Sequence, residues 1–173
     1  MKAIVNVDKN WGIGIGNELL NPISPDLKFF KEKTTGNVVV MGRSTFLSFP
    51  GQKALPKRVN IVLTTDMTWS VPDVTVCHSL KELFLKLEEY DTDSVFNIGG
   101  ASVYDQLLPY CDTVYVTKVE TSKPADKFFP NLDKKRNWYV DFEGEEQDFN
   151  GIKFKFMTYK NTEKKLFRLT HFV

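Results

Sequence analysis

The chain has 173 residues, of which 42% are hydrophobic, and a formal net charge of +1 at pH 7. This length suits one domain over residues 1–173, and the balanced charge argues against a nucleic-acid or membrane surface as the main partner. No run approaches the roughly 18 apolar residues of a membrane span, and the apolar segment near the N-terminus is too short for a signal peptide. We therefore expect a cytoplasmic protein.

Short β-branched runs alternate with helical patterns in the first two thirds of the chain. Strands are predicted at residues 3–7, 37–41, 59–63, 74–77, 94–98 and 113–119, and helices begin near Pro25, after Ser79 and after Gly100. This order is typical of strands connected by helical crossovers and predicts parallel pairing.

The last third of the chain has a different pattern. Alternating strands at 138–143 and 152–159 are joined by an acidic segment, which predicts an antiparallel pair at a sheet edge. The fold class is therefore three-layer α/β, with a mostly parallel central sheet of about eight strands, an antiparallel C-terminal strand and about four flanking helices. Residues 161–173 are not assigned to an element, and their apolar side chains predict packing on the sheet or at a subunit contact.

The segment SPDLKFFK predicts a helix start with Ser24 as N-cap and Pro25 at the first helical position. Asp26 has two explanations. It complements the helix dipole, or it is a functional acid on the same side of the helix as Leu27 and Phe30. The local sequence leaves both open.

The residues after three predicted strands suit a ligand, because ligands of open parallel sheets bind beyond the carboxyl ends of the strands. Gly42–Thr45, Thr64-Thr65 and Gly99–Tyr104 offer glycines, hydroxyls and helix starts. Tight turns need glycine for steric reasons as well, but three such segments at one edge favour a phosphate-rich ligand such as a dinucleotide.

The glycines at positions 12, 14 and 16 do not match a dinucleotide fingerprint, and Pro22 and Pro25 prevent a helix directly after them. We expect a flexible loop here. It is either an ordinary connection or a lid that brings Leu19 and Leu20 over a ligand.

Cysteine and histidine are scarce and scattered, so we expect neither a disulfide framework nor a metal site. Cys77, in the strand VTVC, is expected to be a buried thiol. His78 is expected at the surface.

Seven motifs occur in a characteristic order between about Ala3 and Tyr159. They are AIVNVDKNWGIG, SPDLKFFK, VVVMGRSTF, LPKRVNIVLT, VFNIGGASVYDQLLP, VYVTKVE and DKFFP. The ordered set closely resembles dihydrofolate reductase. The resemblance implies hydride transfer from NADPH to C6 of 7,8-dihydrofolate with protonation of N5, which yields tetrahydrofolate for one-carbon metabolism. It also implies antifolate binding and a monomer.

On the substrate side, the resemblance assigns Asp26 to the pterin N3 and 2-amino group and Thr117 to the same network. It assigns Arg58 to the α-carboxylate of the glutamate tail and Tyr104 to the neighbourhood of the nicotinamide. The implied apolar walls are Ile4, Val5, Leu27, Phe30, Phe49 and Ile98.

On the cofactor side, the resemblance implies two phosphate-binding turns, a segment after the third strand and a mobile loop. These residues are Gly42, Arg43, Ser44 and Thr45; Gly99, Gly100, Ala101, Ser102 and Val103; Leu63, Thr64 and Thr65; and Ile13, Asn17 and Leu19. It further implies a cis peptide between Gly99 and Gly100 and a contact of Asp126 with the mobile loop.

Four positions depart from the family pattern. Leu20-Asn21 replaces a usual proline and tryptophan, and Asn6 stands where a small apolar residue is usual. Asp66 replaces a residue that is often basic, so the preference for NADPH is expected to rest on Arg43, with hydroxyls nearby. An acid at position 66 would weaken discrimination against NADH.

Two other functions fit the same residues. One is a nucleotide-binding regulator that has this fold without the chemistry, since fold does not determine function. The other is a pterin or pyrimidinone reductase acting on a different ring. Arg58 discriminates between substrates, because it is useful for a glutamate tail and idle for ribitol or ribose.

Overall fold

The computed structural model describes residues 1–166, and all statements on the architecture refer to this part of the chain. Its helices are α1 (Ser24–Thr34), α2 (Arg43–Leu47), α3 (Leu80–Leu87) and α4 (Ala101–Leu107). Its strands are β1 (Lys2–Val7), β2 (Gly12–Ile15), β3 (Glu18–Leu19), β4 (Val38–Gly42), β5 (Val59–Leu63), β6 (Val74–Cys77), β7 (Val95–Asn97), β8 (Thr113–Val119), β9 (Lys127–Phe128), β10 (Trp138–Glu143), β11 (Gln147–Phe149) and β12 (Ile152–Asn161). None of these helices is long and apolar enough to cross a membrane.

One large sheet organises the described residues. Its strand order is β10-β12-β8-β1-β7-β4-β5-β6, and β11 pairs with β12 outside this path. The strands from β8 to β6 in this order are parallel to their neighbours, whereas β12 runs antiparallel to β8 and β10. This arrangement confirms the predicted fold class.

Alternate residues of the central strands pack on opposite faces of the sheet, as the pleat requires. Ala3 and Val5 of β1 belong to a buried cluster that includes Leu83 of α3. Ile4, between them, belongs to a second cluster that includes Phe46 of α2, with Phe30 of α1 packed against it. Two helices therefore cover each face, α3 and α4 on one and α1 and α2 on the other.

The start of α1 differs from our prediction. Ser24 is already helical, and Ile23 is the N-cap, without a side-chain cap. The carbonyl oxygen of Ile23 accepts hydrogen bonds from the backbone N–H groups of Asp26 and Leu27 at 3.1 and 3.2 Å. Ile23 is buried, and its packing with Val119 sets where the chain turns into the helix. Ser24 as N-cap is therefore wrong, because tertiary packing overrides local capping preference.

The start of α3 agrees with the prediction. Ser79 is the N-cap, and its hydroxyl oxygen accepts a hydrogen bond from the backbone N–H of Glu82 at 3.1 Å. The Glu82 carboxylate in turn accepts from the backbone N–H of His78 at 2.7 Å. This reciprocal arrangement resembles a capping box.

The expected flexible loop after β1 is instead a hairpin. β2 and β3 pair through Gly14 opposite Leu19, and β9 adds a third strand to this small sheet. Gly16, with φ of +59°, lies in the turn between them. The prediction of a loop failed because β9 comes from a part of the chain about 110 residues away, which local sequence does not reveal.

The C-terminal strands form the predicted antiparallel pair at a sheet edge. β10 is the edge strand, and its pairing with β12 shifts register between Val140 and Phe142, both exposed. The tail begins in contact with the rest of the chain, since the backbone N–H of Lys165 donates to the carbonyl oxygen of Pro109 at 2.9 Å. The prediction for residues 167–173 lies outside the described residues.

The packing of α3 provides a matched test of the core. Leu83 is fully buried, whereas Leu85 on the same helix is 45% exposed. We expect Leu83→Ala to lower the free energy of unfolding by about 3 kcal/mol, through lost burial and a residual cavity. Leu85→Ala should change it by less than about 0.5 kcal/mol. Urea denaturation of both variants measures the difference, and equal losses would contradict the assignment of the buried face.

Candidate active site

A large cavity opens where the parallel strands end. Its volume is about 1190 Å³, and its wall includes Asn6 of β1, Gly42 of β4, Leu63 of β5 and Ile98, which follows β7. This is the edge at which ligands of open α/β sheets bind. Within residues 1–166, no three His, Cys, Asp or Glu side chains are grouped so as to hold a metal ion.

Every predicted site residue except Thr117 and Gly99 lines this cavity. These residues are Ile4, Val5, Ile13, Asn17, Leu19, Asp26, Leu27, Phe30, Gly42, Arg43, Ser44, Thr45, Phe49, Arg58, Leu63, Thr64, Thr65, Ile98, Gly100, Ala101, Ser102, Val103 and Tyr104. Thr117 is buried and hydrogen-bonded to Asp26. Gly99 is joined to Gly100 by a cis peptide bond, as the resemblance implied.

Sequence reasoning missed several lining residues. They include Asn6, Pro22, Lys31, Leu55, His78 and Lys127. Lys31 is four residues after Leu27 and so lies on the same helical line, which offered a usable signal. Cys77 is buried as predicted, and burial raises the pKa of its thiol to about 11. His78 directly follows β6 and is half-buried, with Nδ1 3.0 Å from the carbonyl oxygen of Thr64.

The carboxylate of Asp26 is the buried acid of the cavity. The hydroxyl of Thr117 donates to Oδ1 at 2.6 Å, and the Nδ2 amide of Asn6 donates to Oδ2 at 3.0 Å. Burial raises the pKa of Asp26, and these two donors partly offset the rise. No ion pair to Asp26 occurs within residues 1–166. The site therefore contains an acid whose pKa is moved toward the range useful for proton transfer.

Asn6, which had no explanation from sequence, connects the acid to the segment before α1. Its Nδ2 amide also donates to the carbonyl oxygen of Asn21 at 2.9 Å. The Asn21 side chain is buried, and its Oδ1 accepts from the Thr121 hydroxyl at 3.1 Å. The Asn6 side chain thus joins Asp26 to the backbone of residue 21, whereas the Asn21 side chain bonds to Thr121.

Tyr104 lies beneath the glycine turn that follows β7. Its hydroxyl donates to the carbonyl oxygen of Ile4 at 2.7 Å, and burial raises the pKa of the phenol, to which the Asp26 charge adds. A Cβ atom at Gly99 would lie 2.5 Å from the ring of Tyr104, and φ of Gly99 is +92°. Glycine is required at position 99 on both counts.

Arg58 lies where the cavity meets the end of α1. Its Nε donates to the carbonyl oxygen of Pro56 at 3.0 Å, and one terminal nitrogen donates to the Thr34 hydroxyl at 3.1 Å. Partial burial lowers the pKa of its guanidinium. A planar cation held in this way beside apolar walls can bind a carboxylate with two hydrogen bonds.

Arg43 is paired with the acid that departs from the family pattern. One of its terminal nitrogens lies 2.7 Å from Oδ2 of Asp66, and both side chains are about 40% exposed. The other carboxylate oxygen of Asp66 accepts from the backbone and hydroxyl of Thr68. These bonds from Thr68, and then Arg43, lower the pKa of Asp66.

The hairpin contributes to the same cavity and is held by Asp126. The Asp126 carboxylate accepts a hydrogen bond from the backbone N–H of Gly16 at 3.1 Å. The backbone N–H of Asp126 donates to the carbonyl oxygen of Gly14 at 3.0 Å. The predicted contact between Asp126 and this segment is confirmed.

Comparison with known proteins identifies relatives of this chain. A family model described as dihydrofolate reductase matches residues 1–161. The dihydrofolate reductase of Bacillus subtilis is 34% identical over 165 residues, covering 93% of this chain and 95% of the relative. That of Drosophila melanogaster is 37% identical over 177 residues, covering 93% and 96%. The solved structure of dihydrofolate reductase from Enterococcus faecalis, complexed with NADP(H) and RAB-propyl, matches with a TM-score of 0.80 and 34% identity, covering 92% of this chain and 95% of that one.

The raised pKa of Asp26 makes stability depend on pH in a defined direction. The folded protein holds the proton more tightly than the unfolded chain, whose ordinary aspartate pKa is 3.8. The contribution of Asp26 to stability is therefore full at low pH and is lost as the pH rises through its raised pKa. The variant Asp26→Asn cannot lose stability in this way. The free energy of unfolding of the variant minus that of the wild type should therefore increase as the pH rises from 3.8 through the raised pKa of Asp26. Urea denaturation at a series of pH values measures the trend, and a constant difference would contradict it.

Proposed function

This chain belongs to the dihydrofolate reductase family, and we propose that it carries out the family reaction, the NADPH-dependent reduction of dihydrofolate to tetrahydrofolate, in the cavity beside Asp26. The observation that carries this assignment is a buried carboxylate with two protein donors and no ion pair within residues 1–166, in a cavity that also contains hydroxyls and arginines. These groups suit a pterin at one end and phosphates at the other.

The chain fits the cofactor through its glycines and hydroxyls. A Cβ at Gly42 would lie 3.3 Å from the side chain of Val103, a tight contact, and one at Gly100 would lie 3.4 Å from the Thr45 hydroxyl, an ordinary contact, so these glycines leave space at the cavity wall. NADPH supplies the hydride when bound. The hydroxyls of Ser44, Thr45, Thr65 and Ser102 and the neighbouring backbone would hold its phosphates, with Arg43 near the 2′-phosphate.

Two further groups of residues act on the nicotinamide end. Tyr104, fixed by its bond to the Ile4 carbonyl oxygen, would form one wall of the nicotinamide pocket. Ile13, Asn17 and Leu19 of the hairpin would cover the pocket and exclude water, which strengthens the electrostatic interactions inside.

Asp26 has two tasks in this proposal. Its carboxylate accepts hydrogen bonds from N3 and the 2-amino group of the pterin, while Thr117 orients it. Because burial raises its pKa, the carboxyl group also takes up a proton more readily than an exposed aspartate, and it can support protonation of N5 through water. Without this group the substrate would be both poorly oriented and poorly protonated.

The remaining substrate contacts are apolar, with one cation. Ile4, Val5, Leu27, Phe30, Phe49 and Ile98 would pack on the ring systems. Arg58 would bind the α-carboxylate of the glutamate tail, and its presence in the cavity wall supports a folate over a substrate with ribitol or ribose.

The assembly and location of the protein are also part of the proposal. One domain is supported by the family model, which matches residues 1–161 as a single unit, and we propose that the protein is a monomer. The net charge of +1 supports a small-molecule partner over nucleic acid or a membrane. We place the protein in the cytoplasm, which cell fractionation tests.

The role of Asp26 can be tested by its isosteric amide. Asp26→Asn keeps the shape but loses the charge and the titration, so kcat/KM for dihydrofolate should fall at least tenfold, a barrier change of about 1.4 kcal/mol. Part of the rate should return at lower pH, where N5 is protonated directly from solvent. The decay of NADPH absorbance measures both effects. Wild-type activity in the amide variant at neutral pH would refute the assignment.

The pair of Arg43 and Asp66 makes cofactor preference testable. Asp66→Asn removes a carboxylate that competes with a phosphate for Arg43, so the ratio of kcat/KM for NADPH over NADH should rise by about threefold, as expected for a half-exposed charge pair. Arg43→Ala should lower the same ratio. The variant Asp73→Asn, at another acid of the same connecting segment, is the control. An unchanged ratio in both test variants would show that Arg43 does not bind the 2′-phosphate.

A further inference from the structure

Two neighbouring strands each present a donor to Asp26. β1 and β8 are parallel, and Asn6 lies directly opposite Thr117 in their register. Thr117 donates to Oδ1 and Asn6 to Oδ2, so each carboxylate oxygen has its own protein donor. The two donors differ in chemical kind, because a hydroxyl can donate or accept, whereas an amide NH₂ only donates.

The orientation of the Asn6 amide is determined by its partners. Its Nδ2 group donates to the Asn21 carbonyl oxygen at 2.9 Å and to Asp26 Oδ2 at 3.0 Å. The Asn21 carbonyl oxygen can only accept a hydrogen bond. If the Asn6 amide were reversed, its own oxygen would therefore face the Asn21 carbonyl oxygen without a hydrogen between them. Asn6 therefore cannot turn over to accept a proton from Asp26. Thr117 is not restricted in this way, since rotation about its C–O bond turns the hydroxyl from donor to acceptor.

The anchor of Asn6 is itself held in place. The Asn21 side chain is buried, and its Oδ1 accepts from the hydroxyl of Thr121, in the segment that follows β8. The backbone N–H of Thr121 donates to the Val119 carbonyl oxygen at 2.9 Å. The carbonyl that orients Asn6 is thus attached to the same sheet that carries Thr117.

We propose that Asn6 is a positioning residue of the reaction. Because the Asn21 carbonyl oxygen holds its amide, Asn6 can only donate to Oδ2 of Asp26. Protonation of this carboxyl group is therefore directed to Oδ1. The proton comes from solvent, binds Oδ1 next to Thr117, and is accommodated when the Thr117 hydroxyl reverses. Asn6 also opposes uptake of the proton as a whole, because its bond is stronger to the charged carboxylate. This inference rests on the proposed role of Asp26.

Few other groups influence this titration. From α4 comes the Tyr104 phenol, whose pKa is raised by burial and then by the charge of Asp26, and its hydroxyl already donates to the Ile4 carbonyl oxygen. From α1, Lys31 lines the same cavity. Within residues 1–166, burial raises the pKa of Asp26 and the two donors lower it, and no charged side chain is among the causes of the shift. Removing Asn6 should therefore be visible directly in the titration of Asp26.

The test compares two variants that both remove the Asn6 donor but change the solvation of Asp26 in opposite directions. Asn6→Leu keeps the branched shape of the side chain and removes the donor, but it also makes the surroundings more apolar. Asn6→Ala removes the donor and admits water, which alone would favour the charged form. If the lost hydrogen bond dominates, both variants raise the titration midpoint of Asp26, by about one pH unit. The control is Asn10→Leu, the same chemical change at an exposed asparagine outside the cavity, which should leave the midpoint unchanged.

The readout is the ¹³C resonance of the Asp26 carboxyl group in the protein without ligands, assigned by its absence in Asp26→Asn. If the titration midpoint of Asp26 rises in Asn6→Leu but not in Asn6→Ala, desolvation is the cause and the proposal is overturned. A midpoint that rises in neither variant would overturn it as well. The wild-type protein gives an independent measurement should a variant fail to fold. Its Asn6 amide protons should titrate with the midpoint of Asp26 and remain hydrogen-bonded below it, and an amide that does not follow Asp26 would also overturn the proposal.

Catalysis provides the second readout. The pH profile of kcat for dihydrofolate reduction should move upward in Asn6→Leu and Asn6→Ala by the same interval as the NMR midpoint, with a smaller effect on KM. The NMR titration needs no substrate, so it can succeed even if Asp26 has no part in the reaction. A shifted NMR midpoint with an unshifted profile would overturn the role of Asn6 in the reaction and, separately, question the role of Asp26.

Discussion

A buried carboxylate is unstable unless protein donors replace its lost water, and this requirement connects α1 to the centre of the sheet. Asp26 meets β1 through Asn6 and β8 through Thr117, so the helix that carries the acid is docked by polar bonds as well as by Phe30. The same two donors that satisfy the carboxylate also lower its pKa, against the rise that burial causes. Structural stability and proton affinity are therefore not independent in this site, and a substitution that changes one changes the other.

The large sheet explains how one cavity can offer an acid and a phosphate-binding surface together. Its central strands are parallel, so the segments that follow β4, β5 and β7 all emerge at the same edge. There Gly42 and Gly100 leave space at the cavity wall, which hydroxyls and Arg43 also line. α1 covers the neighbouring part of the sheet and completes the cavity with Asp26. The small sheet of the hairpin adds a cover that is tied to Asp126.

Features that depend on local pattern or on ordered motifs could be predicted from sequence. The bounds of β5, β6 and β8 agree with the predicted ranges, and nearly all predicted site residues share one cavity. Features that depend on distant partners could not. Ile23 became the N-cap because it packs against Val119, and the glycine segment became a hairpin because β9 pairs with it. Asn6 is polar in an apolar position for the same kind of reason, since its partners are 15 and 20 residues away.

The register shift between Val140 and Phe142 has a consequence for the behaviour of the protein in a crowded solution. β10 is the outermost strand of a large sheet, and its exposed aromatic side chains would make a regular version of this edge a template for another extended chain. The irregularity interrupts the even row of backbone donors and acceptors and increases the local twist. A second copy therefore cannot continue the ladder in register, and the protein is protected from polymerising edge to edge along β10.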